Sequence, residues 1–270
     1  MINKIKATFR VLYNSAIVLL VYGLAIQATY LCFKCALTFS TKIKIACLIS
    51  FGFTTCMALW CHIKCLLKNP GYLNRSDFPG ENINIYDHNI SYCKKCNLPK
   101  IKRAHHCSTC NKCVKKMDHH CTWINNCVGL YNQKFFILLN IYALLMCCNC
   151  AFIIFYKLIM CIQKRAHFKD ESCNFLKMDI FHIIVVSISS LIFVIFSFVM
   201  LVDQYWGIKT NTSGIEFLKN IKGEEQSFSK SFIEIFGEAS HTWLIPVDAK
   251  IKDNLVDDFN ENKKKKNKNL

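Results

Sequence analysis

"YCKKCNLPKIKRAHHCSTCNKCVKKMDHHCTWINNCVG", residues 92–129, holds seven of the chain's 18 cysteines together with His105, His106, His119 and His120. Cys93/Cys96 and Cys107/Cys110 each leave a two-residue gap, the spacing that lets a tight turn aim both sulfurs at one ion. Disulfide frameworks belong to small secreted domains, so a dense Cys/His block among lysines reads as a metal–thiolate module in a reducing compartment. Two closed tetrahedral zinc sites need eight ligands. Seven cysteines and one histidine supply them if every thiol binds metal; six cysteines and two histidines supply them if one thiol is held back. The thiol that stands apart is Cys121, which has no partner two residues away and follows Asp118, His119 and His120 directly. A neighbouring imidazole is the usual means of turning a mostly protonated thiol into a nucleophile, and an acid can orient that imidazole. The competing reading is a zinc-binding adaptor in which Cys121 is an idle ligand.

Outward from this block the sequence turns apolar. Residues 11–33, 45–61, 135–156 and 180–202 are four runs long enough, or nearly so, to cross about 30 Å of hydrocarbon. With 53% hydrophobic residues in the 270, a polytopic all-α membrane protein is the expected fold class, with four transmembrane helices and a cytosolic zinc-binding region between the second and third. The expected division is 1–66 for the amino-terminal segment and first two spans, 67–134 for the cysteine-rich domain, 135–202 for spans three and four, and 203–270 for a carboxyl-terminal region. The first run follows Lys4, Lys6 and Arg10, but its length and the lack of a small-residue cleavage site favour a retained anchor over a signal peptide. A channel or transporter fits badly, because the runs hold almost no ionisable side chain beyond His182.

Charge sets the orientation. The net charge is +16, and Lys64, Lys68, Arg75, Lys94, Lys95, Lys100, Lys102, Arg103, Lys112, Lys115, Lys116 and Lys134 crowd the segment between the second and third runs. The positive-inside tendency therefore places that segment and both termini in the cytosol. A basic cytosolic face attracts the anionic leaflet and phosphate-bearing ligands; nucleic acid sits badly with several spans. The "NPGY" and "FPGEN" turn signals suit a metal-stapled loop domain, "SFIEIFGEASHTWLIP" (231–246) is an amphipathic stretch, and "ENKKKKNKNL" at the end reads as a solvated tail. Lys266 and Lys268 also resemble a lysine-based retrieval signal of the endoplasmic reticulum.

At these residues the sequence resembles the DHHC protein S-acyltransferases. The shared pattern is Cys-x2-Cys, a basic segment, His-Cys-x2-Cys-x2-Cys, Asp-His-His-Cys, a cysteine six residues on, and Asn132-x3-Phe136. The resemblance implies one zinc on Cys93, Cys96, His106 and Cys113, and another on Cys107, Cys110, His120 and Cys127. It leaves Cys121 as the acyl-carrying nucleophile, His119 as general base and Asp118 as its orienter, with His105 outside both sites. It further implies palmitoyl-CoA as acyl donor, cysteine-containing membrane-associated proteins as acceptors, and a Golgi, endoplasmic reticulum or plasma membrane setting. Trp123 and Phe136 resemble positions at the mouth of an acyl tunnel, and Lys100 and Arg103 are candidates, with Lys102, Lys115 and Lys116, for holding the coenzyme A phosphates. Departures from the family pattern are Thr122 for proline after the tetrad, Ile101 for proline in the basic segment, Asn69 for aspartate in Asn69-Pro70-Gly71, Ser213-Gly214 for two threonines before Glu216, and Ser231 for asparagine.

Overall fold

A computed structural model describes residues 2–78, 92–165 and 177–251. The lysine-rich end, with Lys266 and Lys268, and most of "FPGEN" lie outside the described residues. The chain divides into two compact units, one of Met1–His62 with Leu138–Val202, the other of Ile63–Ile137 with Asp203–Leu270. The cysteine-rich segment and the region after the fourth span, separate in sequence, thus fall within one unit.

The first unit draws on four long helices, α1 (Ile2–Ala36), α2 (Thr41–Leu67), α3 (Gln133–Arg165) and α4 (Lys177–Lys209). All four are long and apolar enough to cross a membrane, over Leu12–Ala36, Thr41–Leu67, Gln133–Gln163 and Asp179–Lys209. A helix satisfies its own backbone groups, which is what hydrocarbon demands of a spanning segment. Outward-facing Leu19, Ile49, Phe155 and Leu191 suit that solvent. Inside, small thiols and apolar side chains interlock: Leu31, Cys32, Cys35 and Phe39 of α1 and its end meet Cys150, Ile153 and Ile154 of α3 and Val186 of α4.

Polar pairs add register to this packing. The Tyr22 hydroxyl meets His62 Nδ1 at 3.1 Å, Gln27 meets His182 at 2.9 Å, and Lys34 pairs with Asp179 at 2.5 Å. The third span is longer than its apolar core and takes in Lys157, which is buried and donates to Thr38 Oγ1 at 3.0 Å. So the spans carry buried ionisable groups, Lys157 and Asp179 among them, that lie outside their apolar runs. Cys161, unlike the free thiols packed among the helices, is disulfide-bonded.

The second unit is built on three antiparallel hairpins: β1 (Tyr92–Cys93) with β2 (Leu98–Pro99), β3 (His105–Cys107) with β4 (Lys112–Val114), and β5 (His119–Cys121) with β6 (Asn126–Val128). Each reverses direction through an asparagine in the left-handed region, Asn97, Asn111 and Asn125 with φ of 54°, 54° and 45°. Asparagine tolerates that conformation better than other side chains bearing a Cβ. The hairpins have little core of their own, and side-chain amides tie them down. Asn126 donates to the carbonyls of Cys65 (2.9 Å) and Lys68 (2.8 Å), which helix geometry leaves unpaired at the end of α2, while its Oδ1 accepts from Tyr72 and from the Cys127 amide. Asn69 accepts from the Gly71 and Tyr72 amides at 2.9 and 2.8 Å. An aspartate there would accept the same two bonds, so Asn69 keeps the turn.

After α4 come α5 (Gly214–Leu218) and α6 (Phe228–Phe236). The amphipathic helix starts three residues earlier than the stretch singled out in the sequence and stops at Gly237, whose φ of 76° is one that glycine adopts freely. Phe232 and Phe236 stack at 4.3 Å, with Trp243 edge-on to Phe232 at 5.0 Å. Buried Lys134 donates to the Thr242 and Val247 carbonyls, 3.0 Å each, and fastens the segment that follows.

Candidate active site

The hairpins gather two sets of metal donors. In the first, His106 Nδ1 lies 3.6, 3.1 and 3.9 Å from the sulfurs of Cys93, Cys96 and Cys113. In the second, His120 Nδ1 lies 3.7, 3.4 and 3.6 Å from those of Cys107, Cys110 and Cys127. All donor atoms within each set lie within 4.8 Å of one another. A tetrahedron with bonds of about 2.3 Å to sulfur and about 2.0 Å to nitrogen has S···N edges of about 3.5 Å. Three thiols and an imidazole at such separations are the donor chemistry of a closed structural zinc site, and both sets fit it.

The second set is the first displaced by 14 residues: Cys93, Cys96, His106 and Cys113 become Cys107, Cys110, His120 and Cys127, and the turn asparagines repeat with them. A third register begins at Cys121 and stops there. Ile124 stands where the second cysteine belongs, and Lys134 where the histidine belongs. Cys121 therefore occupies a ligand's place in a register that supplies no further ligands. This repeat is a second signal in the sequence that sets Cys121 apart, beside its lack of a Cys-x2-Cys partner.

Cys121 is 5% exposed and ends β5, the strand that also carries His119. Asp118, immediately before that strand, is 4% exposed. His119 Nδ1–H donates to Asp118 Oδ2 at 2.8 Å, the direction an ionised carboxylate imposes because it only accepts. The Cys121 sulfur acts electrostatically on the same imidazole, and with Nδ1 committed to Asp118 the ring nitrogen left for sulfur is Nε2. Phe136, fully buried, meets the His119 ring edge-to-face at 5.1 Å and restricts its tilt.

Asp118 is fastened by three donors. The Gly214 amide donates to Oδ1 at 2.6 Å, and the Gln204 side chain and His119 both donate to Oδ2, Gln204 at 2.9 Å. The Asp118 carbonyl accepts from the Ile215 amide at 2.9 Å. Burial pushes the Asp118 carboxyl up, but these hydrogen bonds and the His119 charge outweigh it and hold it below the usual range. Burial pushes His119 down, and its bond to Asp118 and the Cys121 sulfur outweigh that and raise it to about 10. A cation on neighbouring His120 would act in the opposite direction.

Other residues singled out in the sequence take different places. Arg103 spends its donors within the unit, on both Glu216 oxygens at 2.8 and 2.7 Å and on Asn211. Lys116 is buried against Glu234 at 2.9 Å, and Lys102 pairs with Glu224. Lys100 is exposed and Trp123 half-buried. His105 belongs to neither metal set, and its Nδ1 accepts from Lys219 at 3.1 Å. Gln204 and Gln133 were not singled out; each is a lone amide at the end of an apolar run, with no local motif to mark it.

Comparison with known proteins agrees with this geometry. The family model described as DHHC palmitoyltransferase matches residues 87–221, half of the 270. The chain is 37% identical over 186 residues to Palmitoyltransferase ZDHHC20 of Mus musculus, covering 61% of this chain and 47% of that protein. It is 34% identical over 166 residues to Palmitoyltransferase ZDHHC15A of Danio rerio (58% and 48%), and 33% identical over 190 residues to Palmitoyltransferase ZDHHC3 of Rattus norvegicus (67% and 60%). The aligned part spans between 47% and 60% of the length of these relatives. Hairpins, donor sets and matched sequence lead to one conclusion: this chain belongs to the DHHC palmitoyltransferase family.

Proposed function

We propose that the chain is a protein S-palmitoyltransferase that carries a long acyl group on Cys121. The observation that carries this reading is a buried thiol outside both metal sets, on the same short strand as an imidazole whose Nδ1 is fixed by a buried carboxylate. In the first step the Cys121 sulfur, its proton held on His119, attacks the carbonyl of an acyl-CoA thioester, and the carbon–sulfur bond to coenzyme A breaks as that thiolate leaves with the proton. In the second, a cysteine thiolate of a target protein attacks the acyl-Cys121 thioester and Cys121 departs. One thioester is exchanged for another each time, so no nucleotide hydrolysis is needed. Asp118 keeps His119 in the tautomer that turns Nε2 toward sulfur.

The two Cys3His sets would each hold a zinc ion, Cys93, Cys96, His106 and Cys113 the one, Cys107, Cys110, His120 and Cys127 the other. Bound zinc supplies folding free energy, and the hairpins it staples hold β5 in place. Exposed Lys100 is available to the coenzyme A phosphates. Arg103 serves first as the anchor of Glu216. Trp123, two residues past the nucleophile, would make apolar contact with the first methylenes of the acyl group.

The cysteine-rich unit and the described carboxyl-terminal segment face the cytosol in this reading, in an endomembrane or the plasma membrane. Two independent features support the orientation. Lysine and arginine crowd the segment between α2 and α3, and Cys161, at the far end of α3 from that segment, is disulfide-bonded. Disulfides persist in oxidising compartments, whereas zinc thiolates keep to reducing ones.

The direct test is incubation of purified protein with labelled palmitoyl-CoA. Wild type takes up hydroxylamine-sensitive label and Cys121→Ser does not. Equal labelling of the two rejects the assignment of Cys121, and absence of label from both favours a metal-stapled scaffold without acyl transfer.

A further inference from the structure

Behind the Asp118–His119 pair lies a second hydrogen-bond chain built from side chains far apart in sequence. Gln133, the first residue of α3, donates through Nε2 to Gln204 Oε1 at 3.0 Å. Gln204, near the end of α4, donates through its own Nε2 to Asp118 Oδ2 at 2.9 Å, on the oxygen that receives His119. Gln133, Gln204 and Asp118 are 8%, 3% and 4% exposed, so bulk water is excluded as a substitute partner. A primary amide fits equally well either way round, and its direction must be set by its neighbours. Here both ends set it alike. The ionised carboxylate accepts only donors and draws Nε2 toward itself, while the Gln133 amide claims Oε1.

The geometry points to Gln204 as a positioning residue of the acyl-transfer reaction, holding Asp118 in the plane where it receives His119, with Gln133 holding Gln204. The inference rests on the acyltransferase reading above. Without Gln204, Oδ1 keeps the Gly214 amide, but Oδ2 keeps only His119 and the carboxylate is free to swing about the Gly214 bond. The imidazole would then lose its fixed approach to sulfur without losing its proton acceptor. Gln204 touches neither donor nor acceptor substrate in this role, so the effect falls on rate and not on acyl-CoA affinity.

The test uses the full chain in lipid nanodiscs, with the first-order acylation rate of Cys121 at saturating palmitoyl-CoA, the palmitoyl-CoA concentration for half-maximal rate, zinc content and melting temperature as readouts. Gln204→Leu removes the donor and should slow acylation about 10-fold, the worth of one bond to a charged group. Gln204→Glu is nearly isosteric but sets a second carboxylate against Asp118, and should be slower still. Gln133→Leu frees the amide to flip and should cost less than either. Half-saturation and zinc content should not change.

A role in packing alone predicts the reverse order, with Gln204→Glu nearest wild type and rates following melting temperature; that result overturns the proposal. An arm independent of activity follows the downfield proton of the His119–Asp118 hydrogen bond by NMR. Its resonance should move in Gln204→Leu and stay in place in the surface variant Lys95→Ala. If the wild type takes no label at all and the resonance still moves, the clamp stands and the acyltransferase reading falls; if the wild type takes label and the resonance does not move, the clamp falls alone.

Discussion

At the scale of single residues, the chemistry is decided by what each polar side chain has left after its neighbours are satisfied. His119 has Nδ1 taken by Asp118 and Nε2 free for sulfur, and Asp118 has every oxygen paired with a donor. Asp118→Asn would present an amide in place of an acceptor-only group and admit the wrong imidazole tautomer. We expect Cys121 acylation to fall by at least about 100-fold with metal content unchanged, measured as the single-turnover labelling rate. Residues of this kind were unequally legible. Asp118, His119 and Cys121 are contiguous, and their chemical types announce a nucleophile, a base and an orienter. Gln204 lies 86 residues from its partner Asp118 and carries no charge, so only the folded chain brings it there. Arg103 reads from sequence as a phosphate ligand because its segment is basic, yet the acid that occupies it, Glu216, comes from a segment beyond two spans.

At the scale of elements, the hairpins are small enough that single contacts decide whether they stay docked. Gly129 lies one residue past β6, and a Cβ there would stand 2.6 Å from the Pro70 carbonyl oxygen and 2.7 Å from Val114 Cγ1. Neither neighbour is a flexible tip. Gly129→Ala should therefore lower stability by about 1–3 kcal/mol and speed loss of metal to a chelator, read by calorimetry and a colorimetric zinc assay. Beside the Gly214 and Ile215 amides on Asp118, α5 is linked to the cysteine-rich segment by the pair of Arg103 and buried Glu216.

Burial pushes the Glu216 carboxyl up, but the bonds from Arg103 and the Ser213 amide outweigh it and keep it below its ordinary value. A carboxyl depressed in the folded state stabilises above its unfolded pKa, and that contribution fades as pH falls through the folded one. Glu216→Gln should thus be less stable than wild type by about 2 kcal/mol at pH 7, with the gap closing below about pH 4.3, as thermal melts across that range would register. The long helices were legible because apolar run length is nearly sufficient to specify a span. The hairpins were legible only as metal-stapled turns, since strands of two or three residues carry no readable alternation.

For the molecule as a whole, the apolar runs read from the sequence lie within the four long helices, and the helices extend beyond them at both ends. In chain order the two thiol sets precede α3, and Cys161, near its last residue, is disulfide-bonded. In sealed, cytosol-side-out vesicles, a membrane-impermeant maleimide should reach the thiols of residues 93–127 after chelation, and reach Cys161 only when the vesicles are opened and reduced. Labelling of both sets from one side would overturn the proposed orientation.

The central claim is that two metal sets are complete without Cys121, which stays free to carry an acyl group. The measurement that tests it most directly is intact-protein mass spectrometry paired with elemental analysis on one sample before and after palmitoyl-CoA. The account predicts two zinc ions per chain in both states and one hydroxylamine-labile acyl group that maps to Cys121 and is absent from Cys121→Ser. Release of zinc in step with acylation, or an acyl group retained on Cys121→Ser, would contradict it.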